Sequence, residues 1–327
     1  MSGAEHIAGR TCPASYGYGA GVFRRAPDFA ADTLYVIGGL YGNPEALEAI
    51  EAMAALEAPE AGAAASMPVL AFNGDFHWFD AGQAAFADIN RRVLRHIALR
   101  GNVETELAAA DAGFGCGCGY PDDVGDGEVE RSNQILLRLR ATAMHRPQER
   151  LLLGALPMHA VALVAGARIG IVHGDAQALA GWGFAQRSLD DAGQREALLR
   201  QFSQSGIDLF ASSHTCLPAL RRFDVAGKTH AVINNGAAGM PNFEGGRHGV
   251  ISRIAATPAP ASLPVLHEAA WPVAGRMLHV AALAVRYDHA RWRARFLADW
   301  PPGSPAHLSY FRRIEEGPAY SPRDAYR

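Results

Sequence analysis

The chain has 327 residues, 49% of them hydrophobic and 19% charged, with a formal net charge of −3 at pH 7. That length can bury a sizeable core in one enlarged α/β domain or one domain with additions, and the mild acidity excludes a broad basic face and with it a nucleic-acid duplex as partner. No apolar run reaches the roughly 18–20 residues that a membrane span needs. The start, MSGAEHIAGRTCPASYGYG, has neither the basic head nor the apolar stretch of a secretory signal, so a cytoplasmic protein is expected.

Residues 1–32 are rich in Gly, Ala, Tyr and Arg without periodicity and read as an irregular N-terminal arm. TLYVIGG (33–39) is a buried-type strand and PEALEAIEAMAALEA (44–58) a helix that opens on proline. APEAGAAASM (58–67) is a loop of small residues, and VLAFNGD (69–75) a second strand that ends in a polar turn. ADINRRVLRHIA (87–98) has the spacing of an amphipathic helix, followed by a short strand in IALRGN (97–102). The Pro, Gly and Asp content of GFGCGCGYPDDVGDGE (113–128) predicts a loop, and EVERSNQILLRLRATAM (128–144) a helix.

HAVALVAGARIGIVHGD (159–175) reads as a hairpin around Gly166. A helix over 195–204 leads to the strand IDLFASSH (207–214), and THAVINNG (229–236) and GVISRIAAT (249–257) are further strands. After the proline-rich connector TPAPASLPV (257–265) come a strand in HVAALAVRYD (279–288) and a helix in ARWRARFLADW (290–300). The division expected is an arm over 1–32, one main domain over 33–257 and an extension of strand plus helix over 258–327 packed on it. Alternating strands and helices predict a layered α/β sandwich, with chemistry in the loops beyond the strands' carboxyl ends.

Four of those strand ends carry groups that bind cations: Asp75 in Gly74-Asp75, Asn102 in Gly101-Asn102, His173 in His173-Gly174-Asp175, and His214. A carboxylate, an amide oxygen and two imidazoles suit manganese, iron or zinc. Singly each is ambiguous, since an Asp after a strand commonly caps a helix and an isolated His is commonly a core residue. Together, at successive strand ends, they point to one site. VIGGLYGN (36–43) is the puzzle, a strand-to-helix glycine turn with no ligand in it; its spacing fails the G-x-G-x-x-G of dinucleotide loops. Cys12, Cys116, Cys118 and Cys216 are expected to be reduced. Cys116-Gly117-Cys118 misses the spacing of zinc knuckles and thioredoxin sites, which favours a structural pair over metal or redox use.

In their order, GLYGN (39–43), GD (74–75), GNVE (101–104), HGD (173–175) and SHTC (213–216) resemble the five motifs of the calcineurin-like metallophosphoesterases, over roughly residues 33–257. Asn234-Asn235-Gly236, followed by AAGMPN, is similar to a segment after the last motif of small bacterial phosphodiesterases. The resemblance implies a four-layer sandwich of two mixed sheets flanked by helices. It also implies two adjacent metal sites, one of which takes Asp75, Asn102, His173 and His214. At the positions of the other site's own ligands stand Gly39, Tyr41 and Cys216, with Val103 in place of a histidine and Ser213 of a glycine.

The function implied is therefore hydrolysis of a small phosphomonoester, phosphodiester or nucleotide through a metal-activated water at a predominantly mononuclear site. Tyr41 and Cys216 are candidate catalytic groups and Asn43 a candidate phosphate contact. Glu104, Asp175 and His77 are expected behind the ligands. Rebuilding of the first site by Cys216, Tyr41 and His77 stays open, as does a homo-oligomer. The alternative is a catalytically silent relative that binds a phosphorylated ligand or a partner protein.

Overall fold

Apolar side chains alternate between two faces along the central strands, and this alternation builds the architecture. The computed structural model describes residues 6–57, 66–225 and 227–327; most of the small-residue loop over 58–67 therefore lies outside the described residues. The strands are β1 (Phe29–Ala30), β2 (Thr33–Ile37), β3 (Val69–Asn73), β4 (Ile97–Leu99), β5 (His159–Val164), β6 (Ala167–Val172), β7 (Leu209–Ser212), β8 (Pro218–Val225), β9 (Lys228–Asn235), β10 (Gly249–Ala255), β11 (Val265–Val273) and β12 (Arg276–Val285). They form two mixed six-stranded sheets, ordered β1-β5-β6-β7-β9-β8 and β11-β12-β10-β2-β3-β4.

In β2, Leu34 and Val36 enter the core between the sheets, together with Ile169 and Ile171 of β6 and Leu209 of β7. Tyr35 and Ile37 point the other way, into a core shared with helices α1 (Pro44–Leu56), α2 (Gln83–Val93) and α4 (Asp126–Met144). On the outer face of the other sheet Phe210 and Val232 pack with Phe202 of α7 (Arg195–Ser205). The result is helix, sheet, sheet, helix. Strands β2, β3 and β4 run parallel, as do β6, β7 and β9. Parallel neighbours put their carboxyl ends at one edge, so the turns after β2, β3, β4, β6 and β7 share one end of the sandwich.

Several elements differ from the sequence reading. The helix expected over 87–98 is Gln83–Val93, because Ile97–Leu99 leaves the helical pattern to pair with β3. Stretches left unassigned hold α3 (Asn102–Ala108) and α5 (Pro147–Ala155), and β8 and β11 are partners of β9 and β12. Beyond α8 (His289–Asp299) lie α9 (Pro305–Glu316) and α10 (Pro322–Ala325). Pro305 at the first turn and Gly317 just past the last were the available signals for α9. The arm contributes β1, paired parallel to β5, and its Tyr16 and Phe23 are buried. No helix among the described residues is long and apolar enough to cross a membrane.

A buried ion pair ties β10 to the end of α1. The Arg253 side chain is 1% exposed; its Nε donates to Glu57 Oε1 at 2.8 Å and its Nη1 to the Thr257 carbonyl at 2.9 Å. Removing only one partner of such a pair strands a charge. Glu57→Ala is expected to lower unfolding stability by about 3–5 kcal/mol in a urea titration, and the double variant Glu57→Leu/Arg253→Met to recover most of that loss.

Candidate metal centre

Each ligand candidate sits one to three residues past the end of a strand, where a tight turn aims its side chain across the sandwich edge. Asp75 takes a left-handed backbone, φ +52°, just beyond β3. Its turn is clamped by buried Glu104, whose Oε2 accepts from the Asp75 and Gly101 amides, both at 2.8 Å, and whose Oε1 accepts from the His77 amide at 3.2 Å. Glu104 thus fastens the second and third turns together. Glycine is required at position 101, because a Cβ there would lie 2.4 Å from Asp75 Oδ1 and 3.0 Å from the His173 ring.

The four predicted ligands come together. Asp75 Oδ1 lies 3.3 Å, Asn102 Oδ1 3.0 Å and His214 Nδ1 3.1 Å from His173 Nε2. Ligand atoms of Asp75, His173 and His214 all fall within 4.8 Å of one another. Three backbone carbonyls decide which atoms face inward. His173 Nδ1 donates to the Asn73 carbonyl, His214 Nε2 to the Cys118 carbonyl and Asn102 Nδ2 to the Cys116 carbonyl, each at 2.9 Å. With those hydrogens committed outward, the inward atoms are all lone-pair donors: two imidazole nitrogens, an amide oxygen and a carboxylate oxygen. Such a convergence repels itself unless a proton or a cation sits within it. An imidazole whose far nitrogen donates to a carbonyl is the usual form of a metal-ligating histidine. The residues present therefore fit a divalent cation.

The electrostatics agree. Burial alone would raise the Asp75 carboxyl, but His173 outweighs it and the carboxyl is lowered. Burial pushes His173 down, yet the Asp75 charge and hydrogen bond prevail and raise it. His214 is lowered to about 3, by burial first and then by the charge of His173, so its imidazole is neutral.

Beside this set the Tyr41 hydroxyl and the Cys216 thiol are hydrogen-bonded at 2.7 Å. Both residues adopt positive φ, +54° and +60°. A Cβ at Gly39 would meet the Tyr41 ring at 3.1 Å, so the phenol takes the room that a larger side chain at 39 would need. Burial, then Cys216, raises the Tyr41 phenol well above its usual range, and burial raises the Cys216 thiol. Both are therefore protonated at neutral pH. His77 does not join them. It is buried, stacked on Phe86 with ring centroids 4.1 Å apart, and its Nδ1 lies 2.6 Å from Asp80 Oδ2. The His, Asp and Cys ligand atoms that gather within 4.8 Å of one another are those of Asp75, His173 and His214, without Cys216 or His77.

Two further expectations are revised. Asn43 is fully buried and both its ends are committed: Oδ1 caps α1 by accepting from the Ala46 amide, and Nδ2 donates to the Gly239 carbonyl, each at 2.9 Å. It is a helix cap, and it is not among the described residues that line the cleft beside the ligands. Asp175 accepts from the amides of Gln177, Ala178 and Gly183 and shapes its own loop; it receives no bond from an imidazole among the described residues.

The ligands open onto a cleft of about 290 Å³. Aromatic rings of Trp78, Tyr120, Trp182 and Tyr310 line it, with Arg313 at one side. Sequence reasoning missed these walls. Tyr310 and Arg313 share a face of α9 at helical spacing, but no local pattern says that α9 reaches a site more than 90 residues away in the chain.

No protein-family model and no curated protein matches the chain. Solved structures do. A metallophosphoesterase from Sphaerobacter thermophilus aligns over 85% of this chain and 98% of its own, with 18% identity and a TM-score of 0.53. A hypothetical protein from Pyrococcus horikoshii OT3 aligns over 88% of this chain and 99% of its own, with 15% identity and a TM-score of 0.57. Two mixed six-stranded sheets between helices, with that likeness, make this chain's architecture the calcineurin-like metallophosphoesterase fold.

Proposed function

We propose that the chain is a metal-dependent phosphoesterase acting on a small phosphomonoester, phosphodiester or nucleotide, with one divalent cation, manganese, iron or zinc, held by Asp75, Asn102, His173 and His214. The observation that carries this reading is the convergence of four lone-pair donors with the hydrogens of the two imidazoles and the Asn102 amide turned to backbone carbonyls. When bound, such a cation supplies Lewis-acid chemistry, polarising a phosphoryl oxygen and bringing the pKa of water from 15.7 to about 7.

The chain's own residues do the rest. Carbonyls of Asn73, Cys116 and Cys118 hold three ligands in one orientation, and Glu104 locks the turns that carry two of them. Tyr41, kept protonated by burial, stands at the cleft wall as a neutral phenol bonded to Cys216. The aromatic walls lower the local dielectric, which strengthens each of these contacts. A second reading, a binding protein without turnover, is favoured by one observation: the Tyr41–Cys216 pair fills the ground where the resemblance places a second cation's ligands.

Protein purified without chelator should carry close to one equivalent of manganese, iron or zinc by elemental analysis. Asp75→Asn and His214→Ala should each lose that metal and abolish hydrolysis of a bis-aryl phosphate, a loss of about a hundredfold or more. Activity surviving both substitutions would place the chemistry elsewhere. A metal-loaded wild type that hydrolyses nothing would favour the binding reading.

The sign of the pH dependence follows from His173. Its raised pKa means that a cation must displace a proton there. Metal retention should therefore weaken as the pH falls through that raised value, and dialysis at stepped pH will read it. Without metal the dependence reverses. The Asp75–His173 pair stabilises the fold fully below the ordinary histidine value of 6.5, and that stability is lost as the pH rises through the folded value. Chelated protein should accordingly melt lower at alkaline pH than at pH 6, while loaded protein should not.

A further inference from the structure

We propose that Arg313, delivered by helix α9 of the C-terminal extension, supplies the second positive charge of the site and binds the phosphoryl oxyanion beside Tyr41 and Cys216. This rests on the reading of the cleft as a phosphate-ester site.

Three observations carry it. First, the guanidinium is a built feature. Its Nη2 donates to the Cys216 carbonyl at 2.6 Å and its Nε to the Pro241 carbonyl at 3.0 Å, which leaves Nη1 without a protein partner among the described residues. Second, Arg313 lines the same cleft as Asp75 and His214, and it is the one arginine or lysine among the described lining residues. Third, it stands against Cys216, on the side where the lone-pair set is absent; its charge is felt at the thiol, opposing the upward push of burial.

Charge accounting gives these observations their meaning. A divalent cation against the Asp75 carboxylate leaves one net positive charge, Glu128 at the cleft wall offsets it, and a phosphomonoester at neutral pH brings about two negative ones. A two-metal site closes that gap with its second cation. Here Tyr41, Tyr120 and Tyr310 line the cleft as neutral phenols, since burial raises all three, and Arg313 is the positive charge that the protein itself supplies. A guanidinium with an uncommitted N–H also presents a directed donor to a tetrahedral oxyanion. The extension that looked like an accessory thus completes the site.

Calorimetric titration of the manganese-loaded full chain with inorganic phosphate tests this, alongside elemental analysis and thermal melting of each variant. Wild type should bind phosphate. Arg313→Met should keep its manganese and lose affinity by about ten- to a hundredfold, as expected for one charge-assisted hydrogen bond. Arg313→Lys should fall between, and added guanidinium, compared with sodium at equal ionic strength, should partly restore the Arg313→Met variant. A purely structural strut predicts otherwise: lysine and guanidinium would rescue nothing, and that result overturns the proposal. It is equally overturned if Arg313→Met binds phosphate like wild type, or if loaded wild type binds none. Hydrolysis is scored separately. Wild-type turnover with an unaffected Arg313→Met would sink this inference and spare the phosphoesterase reading; phosphate binding lost on Arg313→Met without wild-type turnover would do the reverse.

Discussion

Three backbone carbonyls, those of Asn73, Cys116 and Cys118, impose the constraint on which the rest of this molecule depends. By taking the outward hydrogens of His173, Asn102 and His214 they leave four electron-rich atoms facing one another across distances near 3 Å. Buried lone pairs do not tolerate such proximity without positive charge among them. Much of the local architecture maintains that tension: the strained backbone of Asp75, the bare glycine at 101, and Glu104, which spends both carboxylate oxygens on amides of the two turns. Strain of this sort persists where surrounding packing over-determines it, commonly at functional sites.

The segments outside the sandwich serve the same constraint. The loop with Cys116 and Cys118 has no regular structure of its own and is fastened from the N-terminal arm. The Gly9 amide donates to the Phe114 carbonyl, the Tyr120 amide to the Gly9 carbonyl, and Arg10 to the carbonyls of Pro121 and Val124. The arm therefore holds the loop whose carbonyls orient Asn102 and His214. At the other wall α9 brings Tyr310 and Arg313. A thiol pair with unremarkable spacing thus matters through its backbone, with the Cys118 sulfur accepting a further bond from Asn102 Nδ2 at 3.6 Å.

The two halves of the centre differ in kind. One half is an acceptor cluster; the other is a phenol and a thiol that satisfy each other, both protonated and both on left-handed backbone. Neutral groups that close on themselves do not attract a cation. Charge on that side comes instead from a guanidinium held by two carbonyls. The cleft thereby has a single cluster of converging lone-pair donors, with the phenol–thiol pair and the guanidinium beside it.

Strand-end motifs by themselves singled out Asp75, Asn102, His173 and His214, whose inward atoms the fold brings together. Hydrophobic periodicity determined β2, β3, the β5–β6 hairpin and α4, and the layered sandwich followed. Those features are local: a strand's burial and a turn's polar residue are written in consecutive positions. Tertiary structure alone decided what depends on distant partners. Asn43 resembles a phosphate contact in sequence, but the Gly239 carbonyl, some 196 residues away, takes its amide. The helix expected to run to residue 98 stops at Val93, while the short strand expected after it forms at Ile97–Leu99 against β3. Which carbonyls aim the imidazoles, and that α9 reaches the cleft, are properties of chain crossings. A sequence states what each side chain can donate or accept; only the folded chain states what it meets.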